Sequence, residues 1–257
     1  MLINCDNFTN LVNKPSLFLY LQILVYMKYF TSVVLILLTS FTGLTQTYEV
    51  GAIVGGANLI GDVGRTTYIS PNTLAFGVIG KWNRSPRHAF RFSVISARVQ
   101  GDDIDSHESR RQERGYTFDN NITELSAGLE YTFWDFDTYS GRNVSTPYLF
   151  TGLNFFLYDR AFVNYTKDFI TYDGGRSFSI PIAIGYKALM APHFILGFEI
   201  GARYSFVDDL DGSNTTSDGT QNAQGLKFGN VNNNDWYIFT TVYINFTFGR
   251  KPCYCNF

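Results

Sequence analysis

The chain is 257 residues long with a formal net charge of −2, too near neutral for electrostatic binding of nucleic acid. Charged residues make up only 16% against 17% Phe, Tyr and Trp, with 23 glycines, a mixture that favours β-structure in contact with lipid or ligand. A mean hydropathy of −0.05 excludes a bundle of apolar membrane helices and suits strands whose side chains alternate. Residues 1–26 carry an apolar stretch without export logic and read as an extension ahead of a true start at Met27. From Lys28, KYFTSVVLILLTSFTGLTQ supplies one positive charge, an apolar run over 33–38 and small residues at Gly43 and Thr45, the layout of a secretory signal peptide over 27–45. The competing reading, a membrane anchor over 17–38, is interrupted by Gln22 and Lys28. The mature portion is therefore expected to be residues 46–257.

Eight segments then alternate with period two and are rich in β-branched and aromatic residues: 47–56, 72–83, 87–100, 120–134, 146–158, 177–188, 193–207 and 235–249. In the sixth, Phe178, Ile180, Ile182, Ile184 and Tyr186 oppose Ser177, Ser179, Pro181, Ala183, Gly185 and Lys187. Pro181 cannot donate to a ladder, so a bulge or local break is expected there. In the seventh, Phe194, Leu196, Phe198, Ile200, Ala202, Tyr204 and Phe206 oppose a face that carries Glu199 and Arg203. Connections alternate in length: 57–71, 101–119, 159–176 and 208–234 are long and polar, 84–86 and 189–192 are short, and 135–145 is intermediate. The expected fold class is all-β, an eight-stranded antiparallel transmembrane β-barrel with short periplasmic turns, long external loops and both termini in the periplasm.

A soluble β-sandwich hides apolar residues and shows its charge, whereas here the charges fall opposite the apolar faces. Glu49, Lys81, Arg91, Glu124, Glu130, Lys187, Glu199 and Arg203, four bases and four acids, are expected to fill the lumen as ion pairs. Eight strands leave room for those side chains but not for a wide channel. On the outer faces Tyr48, Trp82, Phe90, Tyr131, Phe133, Tyr186, Phe194 and Phe248 are expected at the periplasmic rim, and Phe76, Phe178, Tyr204 and Trp236 at the other, as aromatic girdles.

Catalytic and metal motifs are sparse. His88, His107 and His193 fall in separate turns and loops, and H-E-x-x-H, G-x-S-x-G, a Walker loop and Cys-x-x-Cys are all missing from the sequence. Ser106, His107 and Glu108 group the residue types a lipid-modifying barrel uses, but a nucleophile and base must meet by geometry, and a solvated loop is the preferred reading. Asp102, Asp103 and Asp105, and Asp208, Asp209, Asp211 and Ser213, offer oxygen ligands yet miss the twelve-residue calcium spacing, so they read as solvated acids. Residues 61–65, GDVGR, read as a tight loop.

Several segments together resemble one family: TYEVGAIVGGANLIGDVGRTTYISPN at 47–72, RGYTFDNNITELSAGLEYTFWDFD at 114–137, TPYLFTGLNFF at 146–156 and FGRKPCYC at 248–255. They are similar to the PorG-like outer-membrane barrel of the Bacteroidota type IX secretion system. That resemblance implies a small integral barrel that is not itself the export channel. It also implies partners, namely the periplasmic ring of a PorK-like lipoprotein and a PorN-like protein, tied by the barrel to the outer membrane. The contact is then expected on the periplasmic surface, above all in the tail 250–257, where Arg250, Lys251, Tyr254 and Phe257 are types enriched at interfaces. Cys253 and Cys255 in the same tail are open to three states, a strained bridge, two free thiols or a link to another protein. A frayed terminus without a role is the plainer reading.

The expectation is of a structural outer-membrane component, not an enzyme, with no cofactor, metal, nucleic acid or small-molecule substrate and with outer-membrane lipids around it. The alternatives are a stand-alone barrel that binds an external ligand or stabilises the envelope, a lipid-modifying barrel enzyme, and a soluble lipocalin-like carrier.

Overall fold

The computed structural model of the protein describes Lys28 and residues 47–140, 144–164, 166–214, 227–230 and 232–249. The chain divides into Met1–Thr45 and Gln46–Phe257. The segment 1–26 expected as an extension, all of the expected signal peptide 27–45 but Lys28, and Arg250, Lys251, Cys253, Tyr254, Cys255 and Phe257 lie outside the described residues.

Eight strands follow one another: β1 (Thr47–Ile60), β2 (Thr73–Asn83), β3 (His88–Asp102), β4 (Thr117–Thr132), β5 (Ser145–Val163), β6 (Phe169–Ala191), β7 (Phe194–Ser205) and β8 (Trp236–Gly249). Each is antiparallel to its sequence neighbour, and β1 pairs with β8 from Thr47 opposite Gly249 to Ile60 opposite Trp236, so the sheet closes without an edge. Among the described residues no helix is long and apolar enough to cross a membrane. The loop between β3 and β4 holds a 3-10 turn (Asp103–Asp105) and a short helix, α1 (Ser109–Arg114). Gly115 ends α1 at φ 62°, where a Cβ is disfavoured, and its N–H donates to the Arg111 carbonyl.

The segment 159–176, expected as a long external loop, is a hairpin instead. β5 runs to Val163 and β6 starts at Phe169, paired with it. Asp159, Asp173, Gly174 and Gly175 read locally as turn residues, but flanking Phe162, Val163, Ile170 and Tyr172 supply the β-forming surface, and a register shift between Arg160 and Ala161 absorbs the mismatch. Pro181 produces a lapse without a bulge. Pairing of β5 with β6 is missing between Thr151 opposite Ile182 and Asn154 opposite Ser179, yet the register is unchanged, and Pro181 stays opposite Arg203 on the other side.

Alternation turns this barrel inside out relative to a soluble protein. Val54, Phe76 and Ile182 on the exterior are 59%, 63% and 58% exposed, whereas Glu124 and Glu130 in the interior are fully buried. In water each such exterior side chain forgoes about 1.5–3 kcal/mol of burial, while hydrocarbon accepts the same surface. Aromatics cluster where the strands end. Tyr48 stacks on Phe248 (5.9 Å), Trp82 meets Phe90 (5.4 Å) and Tyr131 meets Phe133 edge-on (5.7 Å) at the short-turn rim. At the long-loop rim Tyr204 meets Trp236 (5.0 Å), whereas Phe178 meets Phe155 (5.4 Å) in mid-strand, because β5 and β6 run on past them to Val163 and Phe169.

Candidate functional site

The eight charged residues singled out by strand phase all lie buried in the lumen. Nearer the short turns, Glu130 of β4 accepts from Lys187 Nζ of β6 and is ion-paired with Lys81 Nζ of β2, each at 2.7 Å. Arg91 of β3 reaches across to Glu199 of β7 through both terminal nitrogens, and Tyr148 OH donates to Glu199 Oε2 at 2.8 Å. The Arg91 guanidinium also lies 4.3 Å from the centre of the Phe150 ring. Nearer the long loops, Arg203 faces Glu124 at 3.4 Å, Tyr237 OH donates to Glu124 Oε2 at 2.8 Å, and Phe239 lies under the guanidinium at 4.4 Å. Buried charges are tolerated only with such partners, because the desolvation of an unpaired ion exceeds any gain from packing.

Glu49 departs from the expected pattern. It accepts from the side-chain amides of Asn83 and Asn245, both at 2.8 Å, and no base lies within ion-pair distance among the described residues. Gly197 makes room for one of the interior rings, since a Cβ there would overlap Tyr243. Tyr148, Tyr237 and Tyr243 were not anticipated as lumen groups, although their inward phase on β5 and β8 was a readable signal.

Loops close the far mouth. Asp103 accepts from the backbone N–H of Gly64 (2.9 Å) and Tyr116 (3.0 Å) and from Arg114 Nε (2.7 Å). Arg114 also donates to the Asp62 carbonyl, and Arg111 to the Gly61 and Gly64 carbonyls. From the opposite loop, Asp211 accepts from the N–H of Asp62 (2.6 Å) and Val63 (3.0 Å), while Asn120 donates to the Leu210 carbonyl. Val63 and Leu210 are thereby held fully buried as an apolar plug. Burial pushes the carboxyls of Asp211 and Asp235 above the usual range, and that of Asp208 up to about 6, with the neighbouring Asp211, Asp62 and Asp209 charges adding to the effect.

The near mouth is closed from one loop. Phe136 is buried beneath Lys187, whose amine is 4.5 Å from the ring centre, and the Phe136 N–H donates to the Pro86 carbonyl at 3.0 Å. Beside it Arg87 pairs with Asp135 at 2.6 Å, and Tyr139 OH donates to the Gly249 carbonyl at 2.9 Å, fastening the 133–144 connection to the end of β8. The sequence offered no sign that Phe136 would turn inward.

The remaining candidates do not assemble. Ser106 is buried and its Oγ accepts from the Glu108 N–H (3.2 Å), while the Glu108 carboxylate faces Arg111 (3.4 Å). Asp102 accepts from the Ile104 N–H, Asp105 pairs with Arg65, Asp208 accepts from Asn214, and Asp209 accepts from Tyr158 OH. All the acids of the two clusters were read as solvated, but Asp103, Asp209 and Asp211 are buried, and Asp103 and Asp211 fasten the loops. Among the described residues no group of three or more His, Cys, Asp or Glu is placed to hold a metal ion.

Residues 27–257 match the family described as Domain of unknown function (DUF6089). No protein with a curated description matches the sequence. Among solved structures, the chain is similar to Ail, the attachment invasion locus protein of Yersinia pestis, in complex with the heparin analogue sucrose octasulfate. Identity is 11%, coverage is 80% of this chain and 100% of that one, and the TM-score is 0.44. It is also similar to Neisserial surface protein A (12% identity, 78% and 97% covered, TM-score 0.42). The N-terminal β-barrel domain of Pseudomonas aeruginosa OprF is similar at 12% identity, with 79% and 97% covered and a TM-score of 0.41.

Proposed function

The chain belongs to the DUF6089 family, and from that premise we propose that it is a structural barrel of the Gram-negative outer membrane that ties a periplasmic lipoprotein and protein ring to the membrane. The observation that carries the reading is the closed interior. Ion pairs cross the lumen, Phe136 covers one mouth and Val63 with Leu210 the other, so this molecule acts through its surfaces. Of those surfaces, the apolar belt is matched to lipid. The side with short turns, on which both ends of the strand array lie, is assigned to the periplasm, because outer-membrane barrels place their long loops outside. The ring is assigned to the type IX secretion system on the resemblance of residues 47–72, 114–137, 146–156 and 248–255, with PorK-like and PorN-like partners. Arg250, Lys251, Cys253, Tyr254, Cys255 and Phe257 are the proposed contact. Tyr139 OH donates to the carbonyl of Gly249, the last described residue of β8, which supports a periplasmic patch that includes the 133–140 segment.

A detergent pull-down of the tagged barrel from its native membrane tests this, with wild type compared against a truncation after Phe248. Recovery of a periplasmic lipoprotein with wild type and its loss on truncation is the expected result. An intact barrel that comes out alone under mild detergent overturns the anchoring role.

A further inference from the structure

Three polar residues on neighbouring strands take no part in the charged layers. Ser93 of β3 stands opposite Ser126 of β4, and Ser126 opposite Asn154 of β5. They are 3%, 1% and 0% exposed. Ser93 Oγ, Ser126 Oγ and both amide atoms of Asn154 have no hydrogen-bond partner among the described residues. The same cross-strand row continues through Ser179 of β6 and Ser205 of β7, where partners exist. Ser179 Oγ is 2.9 Å from Tyr237 OH, and Ser205 Oγ donates to the Asp235 carbonyl at 2.7 Å. The unpartnered atoms are thus the lower end of a continuous polar row rather than scattered accidents.

Native interiors rarely leave four polar atoms unmatched on three adjacent residues. The next inward positions on β4 and β5 are Gly128 and Gly152, opposite one another, so no side chain from either position covers the row. The layer towards the short turns holds Arg91, whose Nε also lacks a hydrogen-bond acceptor. We propose that this row binds a small cluster of buried water molecules bridging Ser93, Ser126 and Asn154. The ligand class follows from the groups. All three side chains are neutral and the Asn154 amide presents donors as well as an acceptor, which suits water and disfavours a metal cation. Both mouths are covered, which disfavours a larger solute. A buried water needs two to four polar partners, and this row supplies them.

A crystal structure of the whole barrel at a resolution that shows ordered solvent is the direct test, coupled to urea unfolding of S93A and S126A in lipid vesicles. Density within hydrogen-bond distance of Ser126 Oγ and the Asn154 amide, together with a lowered unfolding midpoint in both variants, is the expected result. Absence of density in the row, or Ser93, Ser126 and Asn154 bonded directly to each other, overturns the proposal. So does an unchanged or raised midpoint, which is what removal of a dry, unmatched hydroxyl produces.

Discussion

Glu130 and Glu49 carry the same charge in the same lumen and are held by different chemistry. Glu130 bridges two ammonium groups, while Glu49 rests between two neutral amides. Replacing Glu130 by Gln keeps the shape but leaves Lys81 and Lys187 without their counter-ion, at an expected cost of about 3–5 kcal/mol. Replacing Glu49 by Gln removes two charge-assisted hydrogen bonds without stranding a cation, at an expected cost of about 1–3 kcal/mol. Urea unfolding of both variants in lipid vesicles measures the difference, and equal midpoints would show that Glu130 does not act as the shared counter-ion. The inward phase of all eight charges was legible because strand side chains alternate with period two. Which acid meets which base was not, since Arg91 and Glu199 lie on strands 108 positions apart and meet only once the barrel has closed with its own stagger.

At the scale of elements, the loops over the far mouth form a pH-dependent unit. Asp208, Asp211 and Asp235 all have carboxyls raised by burial, so the closed arrangement favours their protonated forms. A raised pKa in the folded state gives stability that is complete below the ordinary carboxylate range near 4 and is lost as pH climbs, for Asp208 through about 6. The backbone donors on Asp211 and the Asn214 amide on Asp208 oppose this effect, and Arg160 stands 3.9 Å from Asp209, without reversing the direction. Hydrogen exchange of Gly61, Asp62, Val63 and Leu210, corrected for intrinsic rates, is expected to show more protection at pH 5 than at pH 8; equal protection would remove these acids from the closure. The strands themselves were legible from alternation. Residues 159–176 were misread because acids and glycines dominate a local window, whereas pairing of β5 with β6 is decided by residues on both sides of it.

For the molecule as a whole, closure at three levels excludes a water-filled path. Purified barrel in planar lipid bilayers is expected to give no stable conductance steps, and reproducible steps at neutral pH would show that the layers of Arg91 with Glu199 and Arg203 with Glu124 do not seal the lumen. The inside-out pattern and the aromatic rims were readable in advance because they follow from strand phase alone. Phe136 and the Asp103 fastening were not, because loops choose their partners only after the barrel has set the distances between them.

The tie between Tyr139 and the end of β8 has a mechanical consequence. β8 is bonded along its length to β1 on one side and to β7 on the other. Tension applied at Gly249 along the strand axis therefore strains both ladders in shear, with many hydrogen bonds resisting together, while the Tyr139 hydroxyl guards the last carbonyl against peeling one bond at a time. A cable fastened at that end would pull on the entire closed sheet, and through its apolar belt on the bilayer, rather than on a single strand.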